Sequence, residues 1–158
     1  MQWSSELRGL GACAAISLLL GATSAHAALG ESVASVHVDQ MAMGGVRRLA
    51  RVGTLQTHTV LSEDGSVIRQ FVSPDGMVVA IAWNTRYKPR LDQLLGTHFG
   101  VYAAAARDAS PTGRGIVRRA TVQKGELVVE SSSYLGGYQG RAYLQSRLPY
   151  GVSIDAAR

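Results

Sequence analysis

The side chains suited to proton transfer or metal binding are few in this chain, and their spacing does not suit either task. The histidines beyond residue 30 are His37, His58 and His98, with no H-x-H or H-E-x-x-H spacing that would put two imidazoles on one ion. The single cysteine, Cys13, sits inside an apolar run near the start, so no thiol nucleophile is available beyond it. No G-x-S-x-G elbow and no G-x-x-x-x-G-K-[ST] phosphate loop occurs, and Gly113-Arg114-Gly115 is too short to hold a nucleotide. Glu126 and Glu130 share a strand face but stand about 13 Å apart, too far for a glycosidase pair. Glu63 and Asp64 precede Gly65, where an acidic residue normally serves the backbone of a turn. The expectation is therefore no catalytic residue, no metal site and no cofactor.

Arginine is the chemistry that remains. Three basic groups are local in sequence: Arg47, Arg48 and Arg51; Arg86, Lys88 and Arg90, with Tyr87 interleaved; and Arg114, Arg118 and Arg119. A guanidinium donates two parallel hydrogen bonds to a carboxylate or phosphate, so converging arginines would hold an anionic glycan, a lipid head group or an acidic protein. The first two groups are the candidate anion or partner site; solvated loops and strand edges are the plainer account of the same residues. Tyr134, Tyr138, Tyr143 and Tyr150 cluster late, near Gly136, Gly137 and Gly140, where packing between strands or a flat recognition surface would use them.

The elements that must position these residues are mostly strands. Residues 54–61, 66–73 and 77–84 read as strands separated by Glu63-Asp64-Gly65 and Pro74-Asp75-Gly76 turns. The third, from Met77 to Trp83, is apolar on both faces, which predicts a central strand covered from both sides and a buried Trp83. Residues 91–107 read as a helix with Leu91, Leu94, Leu95, His98, Phe99, Tyr102, Ala105 and Ala106 on one stripe. His98 is thereby a packed or boundary residue. Gly96 and Gly100 each cost about 1 kcal/mol in a helix interior, so the helix either breaks at Gly96 or uses its glycines for close packing. Strands at 116–122, 126–133 and 138–144 follow, the second half-buried with Leu127 and Val129 inward. The fold class is α+β: a curved antiparallel meander of about six strands with one helical segment packed on it.

The 158 residues, 46% apolar and 17% charged, fit one globular domain and exclude a disordered or acidic solvating chain. Its first part reads as an export signal: Arg8, an uncharged run from Gly9 to Ala22, then small residues at Ala25 and Ala27 that a signal peptidase admits, with cleavage before Ala28. That run would rise about 21 Å as a helix, short of the roughly 30 Å hydrocarbon core, so no membrane span is expected after cleavage. Cys13 has further apolar sequence behind it, unlike a lipidated cysteine, which ends its run. The expected organisation is a signal peptide at 1–27, an N-terminal arm at 28–53 and a single α+β domain at 54–158. The net charge of +5 favours anionic envelope polymers, while nucleic acid is not a partner outside the cytoplasm.

Two runs are familiar. Ile68-Arg69-Gln70-Phe71-Val72-Ser73-Pro74-Asp75-Gly76-Met77-Val78-Val79-Ala80-Ile81-Ala82-Trp83 resembles V-R-E-Y-V-S-P-x-G-x-V-F-A-V-x-W, and Leu91 to Phe99 resembles D-L-x-x-L-L-G-x-Y-F. Gly125 to Ser131 and Gly140 to Tyr143 resemble G-x-L-V-V-E-S and G-R-A-Y. The chain thereby resembles a proteobacterial secreted family, domain of unknown function 2844, and the likeness extends from Ala28 to Val152. Val79, Arg90 and His98 stand where that family has an aromatic residue, Asp and Tyr. The resemblance implies an exported protein and no particular chemistry.

Taken together, the expected function is a non-enzymatic periplasmic or secreted binding or envelope-associated domain. Its partner would be an anionic envelope component or another exported protein. The alternatives are an enzyme with a dispersed active site and a structural envelope assembly factor. A cavity with converging polar groups would favour the enzyme, and an exposed basic or apolar patch would favour binding.

Overall fold

The computed structural model describes residues 28–33, 46–108, 119–152 and 154. The expected signal segment with Ala25 and Ala27, the stretch 36–43 with His37, and the 110–115 loop lie outside the described residues.

Seven strands form one open antiparallel sheet: β1 (Val46–Val52), β2 (Leu55–Leu61), β3 (Val67–Val72), β4 (Val78–Thr85), β5 (Arg119–Lys124), β6 (Leu127–Tyr134) and β7 (Gly137–Leu144). The first four run as a meander, and so do the last three, but the spatial order is β1-β2-β3-β4-β7-β6-β5. The chain leaves the centre of the sheet after β4, passes through helices α1 (Leu91–Leu95) and α2 (Phe99–Asp108), and re-enters at the far edge. It then folds back until β7 pairs with β4. The fold is α+β and mostly sheet, with one strand more than the sequence pattern predicts.

That extra strand is β1. The expected arm at 28–53 is in fact built into the fold at both ends. Val46–Val52 pairs along its whole length with β2, from Val46 opposite Leu61 to Val52 opposite Leu55. At the other end, the Leu29 amide donates to the Leu94 carbonyl at 3.0 Å and the Gly30 amide to the Val78 carbonyl at 2.8 Å. Val78 returns a bond to the Glu31 carbonyl at 2.9 Å, and Ala28 and Leu29 are buried. Residues 28–33 thus tie α1 to the start of β4.

The sheet is covered on both sides, as the all-apolar β4 requires. On one face Leu29, Leu94 and Leu95 pack on Ile68, Ile81, Trp83, Val129, Ala142 and Leu144, with Phe99 and Tyr102 half-buried beside them. Trp83 is 3% exposed. On the other face the cover is the C-terminal tail: Leu148, Val152 and Ile154 lie against Leu55, Phe71, Ala80, Ala82 and Tyr143. The register shifts between Phe71 and Val72, which leaves Val79 as an extra residue and lets it join Ala80 on the tail side. Val128 is buried as well as Leu127 and Val129, so the start of β6 is covered on both faces rather than half-buried.

The helical segment does break at Gly96, through a 3₁₀ turn at Gly96–His98. Gly96 has φ of +50°, and a Cβ there would collide with the Ala28 side chain. Both the break and the close approach follow from the lack of a side chain, and the partner is the 28–33 segment rather than the sheet.

Candidate functional site

Strand register brings together a set of side chains that are far apart in sequence. Across the centre of the tail-side face, Ala82 of β4 stands opposite Arg141 of β7, Arg141 opposite Glu130 of β6, and Glu130 opposite Thr121 of β5. Two residues along, Asn84, Gln139, Ser132 and Arg119 form a second row. Side chains at i and i+2 point to the same side, so four strands present a grid two residues deep. These eight residues, with Trp83, Ser131, Gly140 and Ile154, line a cavity of about 450 Å³. From the strand spacing the grid measures about 14 Å across and 7 Å along.

The geometry inside the cavity is largely that of hydrogen-bonding groups held in place by neighbours. An Arg141 Nη donates to Glu130 Oε1 at 2.9 Å, and its guanidinium lies 6.0 Å from the Tyr143 ring centre. The Tyr134 hydroxyl donates to Asn84 Oδ1 at 2.8 Å, which fixes the orientation of that amide at the rim. Arg119 is exposed on the edge strand and has no ion-pair partner among the described residues. Among the described residues the lining holds two guanidinium groups and one carboxylate, one excess positive charge. Behind this face, Gly140 stands opposite Trp83, and a Cβ there would collide with the Trp83 ring on the helix side and with the Glu130 carbonyl.

The arginines singled out by the sequence do not converge. β1 is a strand, so Arg47 and Arg51 fall on the helix side and Arg48 on the tail side. Arg47 is half-buried, with an Nη 2.6 Å from His58 Nδ1. Arg86, Lys88 and Arg90 are exposed where the chain leaves β4. Arg90 pairs with Asp92 at 2.8 Å, and that hydrogen bond raises the guanidinium pKa and lowers that of the Asp92 carboxyl. None of these six lines the cavity; of the third basic group, Arg119 does, while Arg114 and Arg118 lie outside the described residues. Three arginines on an edge strand also have a plain structural use, since like charges keep a second copy of the strand from pairing there. Arg90 instead borders a smaller cavity of about 250 Å³ with Ala28, Glu31, Asp92, Gln93, Gly96 and Thr97.

The residues that the sequence missed are Arg141, Asn84 and Gln139; Glu130 enters the sequence reading only beside Glu126. Gln139 and Arg141 flank Gly140 between Tyr138 and Ala142, Asn84 stands between Trp83 and Thr85, and each reads as an ordinary solvated strand position. The pairing of β4 with β7 is what gathers them, and only Ala82, a small residue amid the polar rows, hints at a depression. Among the described residues no cluster of His, Cys, Asp and Glu could hold a metal ion, and no helix is long and apolar enough to cross a membrane.

Neither the curated proteins nor the solved structures include a match to this chain. A family model described as "protein of unknown function (DUF2844)" matches residues 25–157. The match takes in every strand of the sheet, both helices and all lining residues of the polar cavity. The chain therefore belongs to the DUF2844 family.

Proposed function

We propose that the chain is an exported, non-enzymatic binding domain of the cell envelope, and that the cavity on the tail-side face is where it binds. The observation that carries this reading is the two-row grid of hydrogen-bonding side chains in a cavity of about 450 Å³, within the size range of small-molecule sites. Its excess positive charge suits an anionic envelope component better than a neutral one. Export rests on the uncharged run to Ala22 and the Ala25-x-Ala27 pattern, with the mature chain starting at Ala28 in the periplasm or outside the cell.

The cavity also favours a second reading, an enzyme acting through Glu130. Against it, among the described residues Glu130 is the one Asp or Glu in the lining, and no described histidine, cysteine or lysine accompanies Ser131, Ser132 or Thr121 there. A hydroxyl without a base is a poor nucleophile, and a carboxylate held by Arg141 serves as a hydrogen-bond acceptor.

Two measurements test the proposal. The intact mass of the exported protein should correspond to a chain beginning at Ala28, and a full-length or lipid-modified start would overturn the export reading. The purified protein should sediment with the envelope fraction at low ionic strength and be released by salt. Absence of retention at low salt removes the binding reading.

A further inference from the structure

The lining of the tail-side cavity identifies a ligand class. Resting on the binding reading above, we propose that this cavity takes an acidic sugar, a short saccharide unit with one carboxylate, seated with the carboxylate toward Arg119.

Exclusion narrows the choice first. Among the described residues Ala82 and Ile154 are the aliphatic side chains in the lining, and Trp83 is almost wholly buried, so these residues offer little contact area to an acyl chain or an aromatic ring. A polyphosphate needs several converging cations, whereas here one of the two guanidinium groups is bound to Glu130 at 2.9 Å. What remains is a mixture of donors and acceptors in nearly equal measure. Asn84 and Gln139 each carry an amide with both, Ser132 and Thr121 each carry a hydroxyl, and Glu130 accepts. Neighbouring hydroxyls on a sugar ring are donors and acceptors a few ångströms apart, the pattern that such a set satisfies. The footprint of about 14 by 7 Å is elongated and shallow, as a flat saccharide unit is.

The acidic group follows from the charges. Arg141 and Glu130 neutralise one another across β7 and β6, which leaves Arg119 at the end of the second row. Its planar fork meets a carboxylate with two parallel charge-assisted hydrogen bonds, and a neutral sugar lacks the charge that strengthens them. Arg119 sits on the edge strand, exposed, so it can turn to the ligand without breaking an ion pair among the described residues.

Calorimetric titration of the full chain tests this with galacturonate, a galacturonate trimer, galactose and acetate as probes. Galacturonate should bind about tenfold more tightly than galactose, the effect of one charge-assisted hydrogen-bonded contact, and acetate should not bind measurably. The trimer tells a free sugar from a polymer segment: tighter binding than the monomer assigns the cavity to a polymer, equal binding to a single unit, and both are acidic sugars. Arg119→Gln should remove the preference for galacturonate over galactose. Arg86→Gln, outside the cavity, should leave that preference in place. Arg119 is exposed, so the thermal midpoint of its variant should match that of the parent chain. Equal binding of galactose and galacturonate, binding of acetate as tight as that of galacturonate, no binding of either sugar, or an unaltered preference in Arg119→Gln would overturn the proposal. If neither sugar binds while the protein still sediments with the envelope in a salt-sensitive way, the sugar class falls and the binding reading stands. If that retention is absent too, both fall.

Discussion

The two faces of one sheet are put to different use. On the helix side, Ile81, Ala142, Val129 and Val122 stand in one cross-strand row, and all four are buried. Trp83 extends that packing flat over Gly140 in the next row. On the tail side the row Phe71, Ala80, Tyr143 and Val128 is apolar and lies under Leu148 and Val152, but the next two rows are polar. The boundary passes between Ala80 and Ala82. A continuous apolar strand can therefore serve two layers, one apolar and buried from β4 across to β5 and one covered over only part of that width. The polar part needs no separate scaffold, since the helix side and half of the tail side already hold the strands in register.

Neighbouring residues of β4 give the sharpest test of that difference. Trp83→Ala removes a buried ring from the helix side and should lower stability by about 3–5 kcal/mol, read from the denaturant midpoint. Asn84→Ala, one residue on and facing the cavity, should change it by no more than about 0.5 kcal/mol, because the side chain is exposed. Similar losses in the two variants would mean that the faces are not distinct. Glycine provides the next contrast. Gly140→Ala should cost about 1–3 kcal/mol, since its Cβ meets the Glu130 carbonyl, which is backbone and cannot move aside. Gly100→Ala in α2 meets nothing within 4 Å and should stabilise the chain by up to about 1 kcal/mol. A neutral Gly140→Ala would show that the β6 backbone and the Trp83 ring yield.

The local parts of this architecture can be read from the residues. Period-two alternation and the Gly65 and Gly76 turns locate β2, β3 and β4, and the run Met77 to Trp83 signals cover on both faces. β1 escapes because Val46–Val52 is exposed or half-exposed at every position, so its sequence carries no burial pattern. The segment at 28–33 escapes for the opposite reason: it is too short for periodicity, yet Leu29 is fully buried. The cavity is a product of long-range register. Ala82 and Arg141 are distant in sequence, and nothing local to either shows that they stand side by side. Sequence clusters of arginine proved a poor guide to spatial ones, since strand alternation splits Arg47 and Arg51 from Arg48.

The smallest effect concerns acid, and it separates the sheet's turns from its cavity. Asp64 accepts from the Ser66 amide at 2.9 Å and from the Ser66 hydroxyl at 3.0 Å, and these bonds, the amide first, hold its carboxyl below the ordinary 3.8. Asp75 is lowered chiefly by the hydroxyl of Ser73. A carboxyl whose folded pKa is depressed contributes stability that is fully present above its unfolded value. The contribution is lost as pH falls below 3.8 and through the folded value. Both turns are open to solvent, so the loss is small. Asp64→Asn keeps an acceptor for the Ser66 amide but cannot titrate, so its stability should decline less than the wild type's over that acidic interval and show no gain above it. Asp64 lies outside the cavity lining, and ligand binding at neutral pH should be unchanged in this variant. A variant with the full acid sensitivity of the parent would place the titrating group elsewhere. One with altered binding would mean that the turn between β2 and β3 is coupled to the grid across β4, contrary to the division between the two regions drawn above.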